Sequence, residues 1–219
     1  MNIIDLGRRD YKDVWDMQKT LHEKRVAGDI QDTLLLVEHD HVITLGKSGK
    51  EKNVLVPMKL LAEKGVAYYE IERGGDVTYH GPGQLVGYPI FNIKEHLIGI
   101  KPFIEKLQSV VIRALEQYDI QAHARDKMIG VWTAHGKICS IGVAVKRWVS
   151  FHGFALNVNT DLSYFNLINP CGMRDVNMTS MKEITHETVD VQNVKKHIID
   201  SFAQVFEQEA VAQCLSDLI

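Results

Sequence analysis

The sequence predicts an α+β fold, and three observations predict it. Compact β-rich runs and segments of helical period both occur, but without the regular strand–helix–strand beat of a doubly wound sheet. Two of the apolar runs flank a short Ala134-His135-Gly136 turn, the pattern of a hairpin and so of antiparallel pairing. Of the 219 residues 45% are apolar and 24% charged, which gives a sizeable core without a disulfide or metal staple. The length fits a single domain over residues 1–219.

In chain order, Ile3, Ile4 and Leu6 suggest a short strand, and residues 10–25 place Val14, Met17 and Leu21 at helical spacing. Residues 33–37 and 42–45 are apolar runs separated by Glu38-His39-Asp40-His41 and are expected to pair. Residues 46–53 are polar and glycine-bearing, hence a loop. Residues 60–64 form a short helix stopped at Gly65, followed by strands at 66–71 and 84–93. Residues 101–118 make an amphipathic helix with Pro102 in its first turn and Phe103, Leu107, Val110, Val111 and Leu115 on one face. Residues 129–133 and 137–146 form the hairpin, 150–157 add a strand, and a C-terminal helical segment runs over about 188–211 as one helix or two.

The net charge of −3 argues against a nucleic-acid partner. No run approaches the roughly 18 apolar residues that span a bilayer, and Met1-Asn2-Ile3-Ile4-Asp5-Leu6 lacks the pattern of a signal peptide, so no membrane role and a cytoplasmic location are expected. Cys139, Cys171 and Cys214 form no CxxC pair and are expected as free thiols. Cys139 lies in a strand-like run and Cys214 in the C-terminal helix, so both are expected as small core residues. Cys171 sits instead in Asn169-Pro170-Cys171-Gly172, a rigid-then-flexible turn that can present a side chain. His39 and His41 lack a third ligand, so no metal site is expected.

The stretch from Glu72 to Gln84 is the most unusual in the chain. Four glycines and a proline fall within residues 74–83, with Arg73 and His80 bracketing the turn as groups that could hold a ligand. Glycine lets a ligand or another chain approach without a Cβ in the way. The pattern is neither GxxxxGK[ST] nor a helix-opening GxGxxG.

Arg73-Gly74-Gly75-Asp76-Val77-Thr78-Tyr79-His80-Gly81-Pro82-Gly83-Gln84-Leu85-Val86 resembles the signature of the lipoyl(octanoyl) transferases of lipoate biosynthesis. Thr44-Leu45-Gly46-Lys47 and Asn53-Val54-Leu55 upstream, and Lys137 to Gly142, Ser150 to Asn157 and Pro170-Cys171-Gly172 downstream, are similar to the same family in the same order. The resemblance covers a motif-bearing core of about 34–173. It implies a mixed sheet flanked by helices, as in the catalytic domains of biotin and lipoate protein ligases, with the acyl chain in a tunnel. Lipoate ligases resemble GGGAVYHDxGN where this chain has His80 followed by Gly-Pro-Gly-Gln, and biotin ligases resemble GRGRxGR. The resemblance therefore implies the transferase branch, with no ATP and no cofactor.

On the same resemblance Cys171 is the acyl-thioester nucleophile and Lys137 lowers its pKa or serves as its base; by itself Lys137 would be a solvated hairpin lysine. A free thiol with a pKa of about 8.5 is mostly protonated at neutral pH, and a nearby cation favours the thiolate. His80 and His152 are alternative partners for the thiol, and which group takes the proton stays open; both are assigned to the substrate site. Arg73, Gly74, Gly75, Asp76, Val77, Thr78 and Tyr79 are expected to line that site. Ser140, Ile141, Gly142, Gly153, Phe154 and Ala155 are expected to shape the tunnel and hold the acyl carbonyl. The implied donor is octanoyl-acyl carrier protein. The implied acceptors are apo lipoyl domains of 2-oxoacid dehydrogenase E2 subunits and the glycine cleavage H protein. The basic loop Lys47-Ser48-Gly49-Lys50-Glu51-Lys52 is a candidate docking element for such acidic proteins. An ATP-dependent lipoate ligase, an octanoyl amidotransferase acting between lipoyl-bearing proteins, and a silent acyl-binding protein are the alternatives.

Overall fold

Successive residues of a strand face opposite sides of a sheet, and several strands here are apolar on both sides. A computed structural model describes residues 1–169 and 176–219. The chain runs through β1 (Asn2–Arg9), α1 (Tyr11–Ala27), β2 (Thr33–His39), β3 (Val42–Leu45), α2 (Met58–Glu63), β4 (Ala67–Glu70), β5 (Val77–His80) and β6 (Gln84–Ile90). It continues through α3 (Ile100–Glu116), β7 (His123–Arg125), β8 (Met128–Thr133), β9 (Gly136–Lys146), β10 (Val149–Asn157), α4 (Met181–Thr185), α5 (Val191–Phe206) and β11 (Val211–Ala212). An eight-stranded sheet has the order β11-β1-β2-β6-β10-β9-β8-β7, and a three-stranded sheet has the order β4-β3-β5. The large sheet is mixed: β1 runs parallel to β2 and β11, and the other neighbours are antiparallel.

In β2, Leu34 and Leu36 face α3 and α5, meeting Phe103, Leu107, Ile198 and Phe202, while Leu35 and Val37 face α1 at Val14 and Leu21. The central strands β2, β6 and β10 are buried on both faces, the arrangement expected of strands with continuous apolar runs. α1 starts at Asp10, whose carboxylate accepts the Lys12 and Asp13 N–H groups, and ends at Gly28 in the left-handed region. A third cluster, with Ile43, Val77, Tyr79 and Phe165, fills the space behind the small sheet. No helix among the described residues is long and apolar enough to cross a membrane.

Three expectations change. Residues 33–37 and 42–45 do not pair: β2 lies between β1 and β6, whereas β3 joins β4 and β5. The connector parts them because His39 is held inward, Nδ1 donating to the Arg9 carbonyl and Nε2 accepting from the Tyr88 hydroxyl. The C-terminal helix stops at Phe206, with Glu207 at φ 54°, and the chain then pairs with β1 at Asn2↔Val211. Cys214 is therefore outside that helix and exposed, not a core residue. Cys139 is buried in β9, and burial pushes its thiol up to about 12. β5, β7, α4 and β11 had no clear counterpart in the sequence pattern.

One buried carboxylate links distant pieces. Asp32 accepts from Arg25 Nε at 2.8 Å, His96 Nε2 at 2.6 Å, the Asn92 N–H at 2.9 Å and Gln208 Nε2 at 3.1 Å. Burial opposes its ionisation, but these donors outweigh burial and hold the carboxyl down to about 2. Because the folded pKa is depressed, this stability is complete above the ordinary carboxylate value and is lost as pH falls towards 2. Asp32→Asn should cost about 3 kcal/mol at neutral pH, seen as a lower urea midpoint, and the gap to wild type should close between pH 4 and 2.

Candidate active site

The glycine-rich segment is fixed by its backbone on two sides. Lys47, Ser48 and Gly46 donate N–H groups to the carbonyls of Arg73 (3.0 Å), Gly75 (3.1 Å) and Asp76 (3.2 Å), while Gly74 N–H donates to the Val143 carbonyl at 2.9 Å. The approach to β9 is so close that a Cβ on Gly142 would lie 2.8 Å from the Gly74 oxygen. Arg73 is buried. Its guanidinium donates to the Thr44 carbonyl at 2.7 Å, to Thr44 Oγ1 at 3.0 Å and to the Gly74 carbonyl at 3.0 Å. Asp76 accepts from Val77 N–H and from Asn53 Nδ2.

This segment, β9 and β10 wall a cavity of about 640 Å³. Of the residues expected to line the site, Arg73, Gly74, Gly75, Asp76, Val77, Thr78, His80, Ser140, Ile141, Gly142, His152, Gly153, Phe154 and Ala155 do border the cavity, as does Lys137. Tyr79 does not. The period of two along β5 turns it to the other side, where its hydroxyl meets His41 Nδ1 at 2.7 Å and its ring stacks on Tyr164. Phe154 and Ala155 belong to a strand paired on both edges, with β6 and with β9, so most of their backbone polar groups serve the sheet. Cys171 lies outside the described residues.

Tyr11, Tyr88, Ile100, Ile104, Met128 and Trp132 also line the cavity without having been expected. They come from α1, β6, α3 and β8, so no local motif announces them. Tyr11 stands at the first position of its helix, directly after the Asp10 cap.

At one end of the cavity, neutral histidine and tyrosine rings stand beside the buried Arg73 guanidinium. His80 is buried and lies flat on Tyr11, ring centres 5.8 Å apart. Gln84 donates from Nε2 to Asn157 Oδ1 and the Tyr79 carbonyl, which leaves its Oε1 facing His80 Nδ1 at 2.8 Å. His80 therefore carries its proton on Nδ1 and a lone pair on Nε2. Burial depresses the imidazole to about 3, with His39 adding to the effect, so it is neutral at physiological pH. Burial likewise raises the Tyr11 and Tyr88 phenols. His152 sits at φ 56°, donates its N–H to Gln18 Oε1 at 2.8 Å and places Nε2 3.5 Å from Glu72. Burial lowers its pKa despite that carboxylate.

A buried lysine is at the other end. Lys137, the second residue of β9, has 3% of its surface exposed, so it is not a solvated hairpin lysine. Its ammonium stands 5.5 Å from the Trp132 ring centre. Its backbone is zippered to the chain that follows the Cys171 region: Lys137 N–H donates to the Asn177 carbonyl at 2.8 Å and Thr179 N–H donates to the Lys137 carbonyl at 3.0 Å. On the preceding side, Asn169 N–H donates to the Asn53 carbonyl at 2.7 Å. An apolar cavity with one buried amine in its wall suits an acyl chain ending at an electrophilic carbonyl.

The family model of the lipoyl protein ligase A/B catalytic domain matches residues 10–203. An octanoyltransferase of Alkaliphilus metalliredigens is 46% identical over 212 residues, covering 96% of this chain and 97% of its own. One from Flavobacterium johnsoniae is 44% identical, covering 96% and 98%. Among solved structures, the bipartite lipoate protein ligase of Thermoplasma acidophilum superposes with a TM-score of 0.72 at 14% identity, over 99% of this chain and 89% of that one. The biotin protein ligase of Aquifex aeolicus gives 0.59 at 17%, over 94% and 70%. The two solved structures share the fold, the mixed sheet with helices on its faces, while the sequence matches reach nearly end to end at more than 40% identity: the chain belongs to the lipoyl protein ligase A/B catalytic-domain family, among its octanoyltransferases.

Proposed function

We propose that this chain, acting as one catalytic domain in the cytoplasm, moves an octanoyl or lipoyl group from acyl carrier protein to a lysine of an apo lipoyl domain through a thioester on Cys171. The observation that carries the reading is Lys137, a buried cation in the wall of an acyl-sized apolar cavity, bonded through its backbone to Asn177. Cys171 stands six residues before Asn177, a stretch that spans at most about 20 Å, so its thiol is within reach of the same wall.

The chemistry needs no nucleotide. Cys171 thiolate attacks the carbonyl carbon of the carrier thioester; the carrier sulfur leaves and takes up a proton, giving an acyl-enzyme and a free carrier thiol. The acceptor ε-amine then attacks the acyl-enzyme carbonyl, loses a proton and expels the Cys171 thiolate, leaving an amide. The Lys137 ammonium stabilises the thiolate in both steps by its charge. The neutral state of His80 and His152 argues against either as that cation. Their acceptor and donor nitrogens serve the cavity's polar end, with Arg73 holding the wall.

Incubation with octanoyl-acyl carrier protein and no ATP should add one octanoyl mass to wild type and none to Cys171→Ser; an adduct-free wild type from pH 6 to 9 rejects the mechanism. Activity from free octanoate plus ATP that survives Cys171→Ala would instead identify a ligase, and octanoylated H protein as a competent donor an amidotransferase. Lys137→Met should move the midpoint of the loading rate's pH profile upward by at least one unit, towards the ordinary thiol value, and slow loading at pH 7 about tenfold or more.

Lys47, Lys50 and Lys52 are exposed on the loop whose Ser48 reaches the cavity rim, so acidic partners would meet them first. Reversing all three to Glu should raise the KM for carrier protein several-fold and flatten its dependence on salt, with loading from a small octanoyl thioester unchanged.

A further inference from the structure

The side chain of Lys137 lies against a missing side chain on the neighbouring strand. Gly130, buried in β8, has φ +136°, and a Cβ there would lie 2.4 Å from Lys137 Cε, 2.7 Å from the Cys139 carbonyl oxygen and 3.2 Å from Lys137 Nζ. Such distances cannot be met without displacing something. The Cys139 carbonyl belongs to β9 backbone, so the movable object is the lysine stem. The pairing of β8 with β9 shifts register between Val131 and Trp132, from Val131↔Cys139 to Trp132↔Lys137, which sets Gly130 and Trp132 on either side of the step. The Lys137 ammonium lies 5.5 Å from the centre of the Trp132 ring.

The Gly130 backbone is itself held. Gln108, buried in α3, donates Nε2 to the Gly130 carbonyl at 3.0 Å. That bond fixes a peptide in a conformation other residues rarely adopt. Among the described residues nearby, Arg125 lies 4.3 Å from the Trp132 ring centre, Lys127 is on the cavity rim, and burial raises the pKa of the Cys139 thiol.

We infer that Gly130 is a positioning residue: the space left by its missing side chain is the slot in which the Lys137 stem lies, and the Gln108 bond to its carbonyl keeps that slot in place. The inference rests on the role proposed for Lys137. A methyl group in the slot pushes the ammonium out of the wall, and the Cys171 thiol then returns towards its unassisted pKa.

The experiment is the pH profile of octanoyl loading from octanoyl-acyl carrier protein, read by intact mass, for wild type, Gly130→Ala, Lys137→Met and the double variant. Gly130→Ala should raise the midpoint by about one unit and slow loading about tenfold at pH 7, with the rate recovering to within a few-fold above pH 9. In the Lys137→Met background the same change should alter loading less than twofold, because its effect runs through the lysine. A general loss of folding would lower the rate equally at every pH. A Gly130→Ala profile that overlays wild type, beside a shifted Lys137→Met profile, overturns this inference alone. An unshifted Lys137→Met profile overturns the role of Lys137 and this inference with it. If circular dichroism shows Gly130→Ala unfolded, Gln108→Met takes its place: an upward shift supports the slot, and an unmoved midpoint overturns it.

Discussion

The site depends on backbone hydrogen bonds that hold the Arg73–Asp76 segment between residues 46–48 and β9. A glycine-rich stretch loses much conformational freedom on ordering, and it stays in one shape here because its carbonyls and its Gly74 N–H are all engaged. Arg73 adds a charged clamp on Thr44 from within. With that segment in place, β9 and β10 acquire an opposite wall and the cavity exists. Without it, the large sheet would keep its two cores and lose its pocket.

The cavity divides its polarity by position. At the β6 end, histidines and tyrosines are stacked and bonded to one another and kept uncharged by burial. At the β8 end stands a lysine. A charge in low dielectric acts strongly on whatever approaches it, so the buried Lys137 ammonium, set apart from the neutral rings, gives an acyl group a direction in which its carbonyl can point.

Much of this was legible in the sequence. The α3 helix followed from apolar spacing, the β8–β9 hairpin from its turn, and the lining from the Arg73–Gln84 motif, since a motif is a local object. What was not legible came from long range. Nothing in residues 33–45 says that β2 and β3 belong to different sheets; that is decided by His39 finding Tyr88 and Arg9. Tyr11 and Tyr88 enter the site from elements with their own local reasons to exist. Tyr79 could have been placed correctly, because taking 77–80 as a strand puts it opposite Thr78 and His80. The exposed Cys214 follows from β11, a two-residue pairing with β1 too short to leave a pattern.

The bonds that shape the pocket wall join main chain to main chain, at Gly46, Lys47, Ser48 and Gly74. Such bonds are indifferent to the side chains carried by the residues that make them, apart from the few places where only glycine fits. A wall built this way tolerates wide drift in sequence while its outline persists, and new chemistry needs only a handful of changes at its rim. That is a physical route by which ligases with 14% identity can share this architecture.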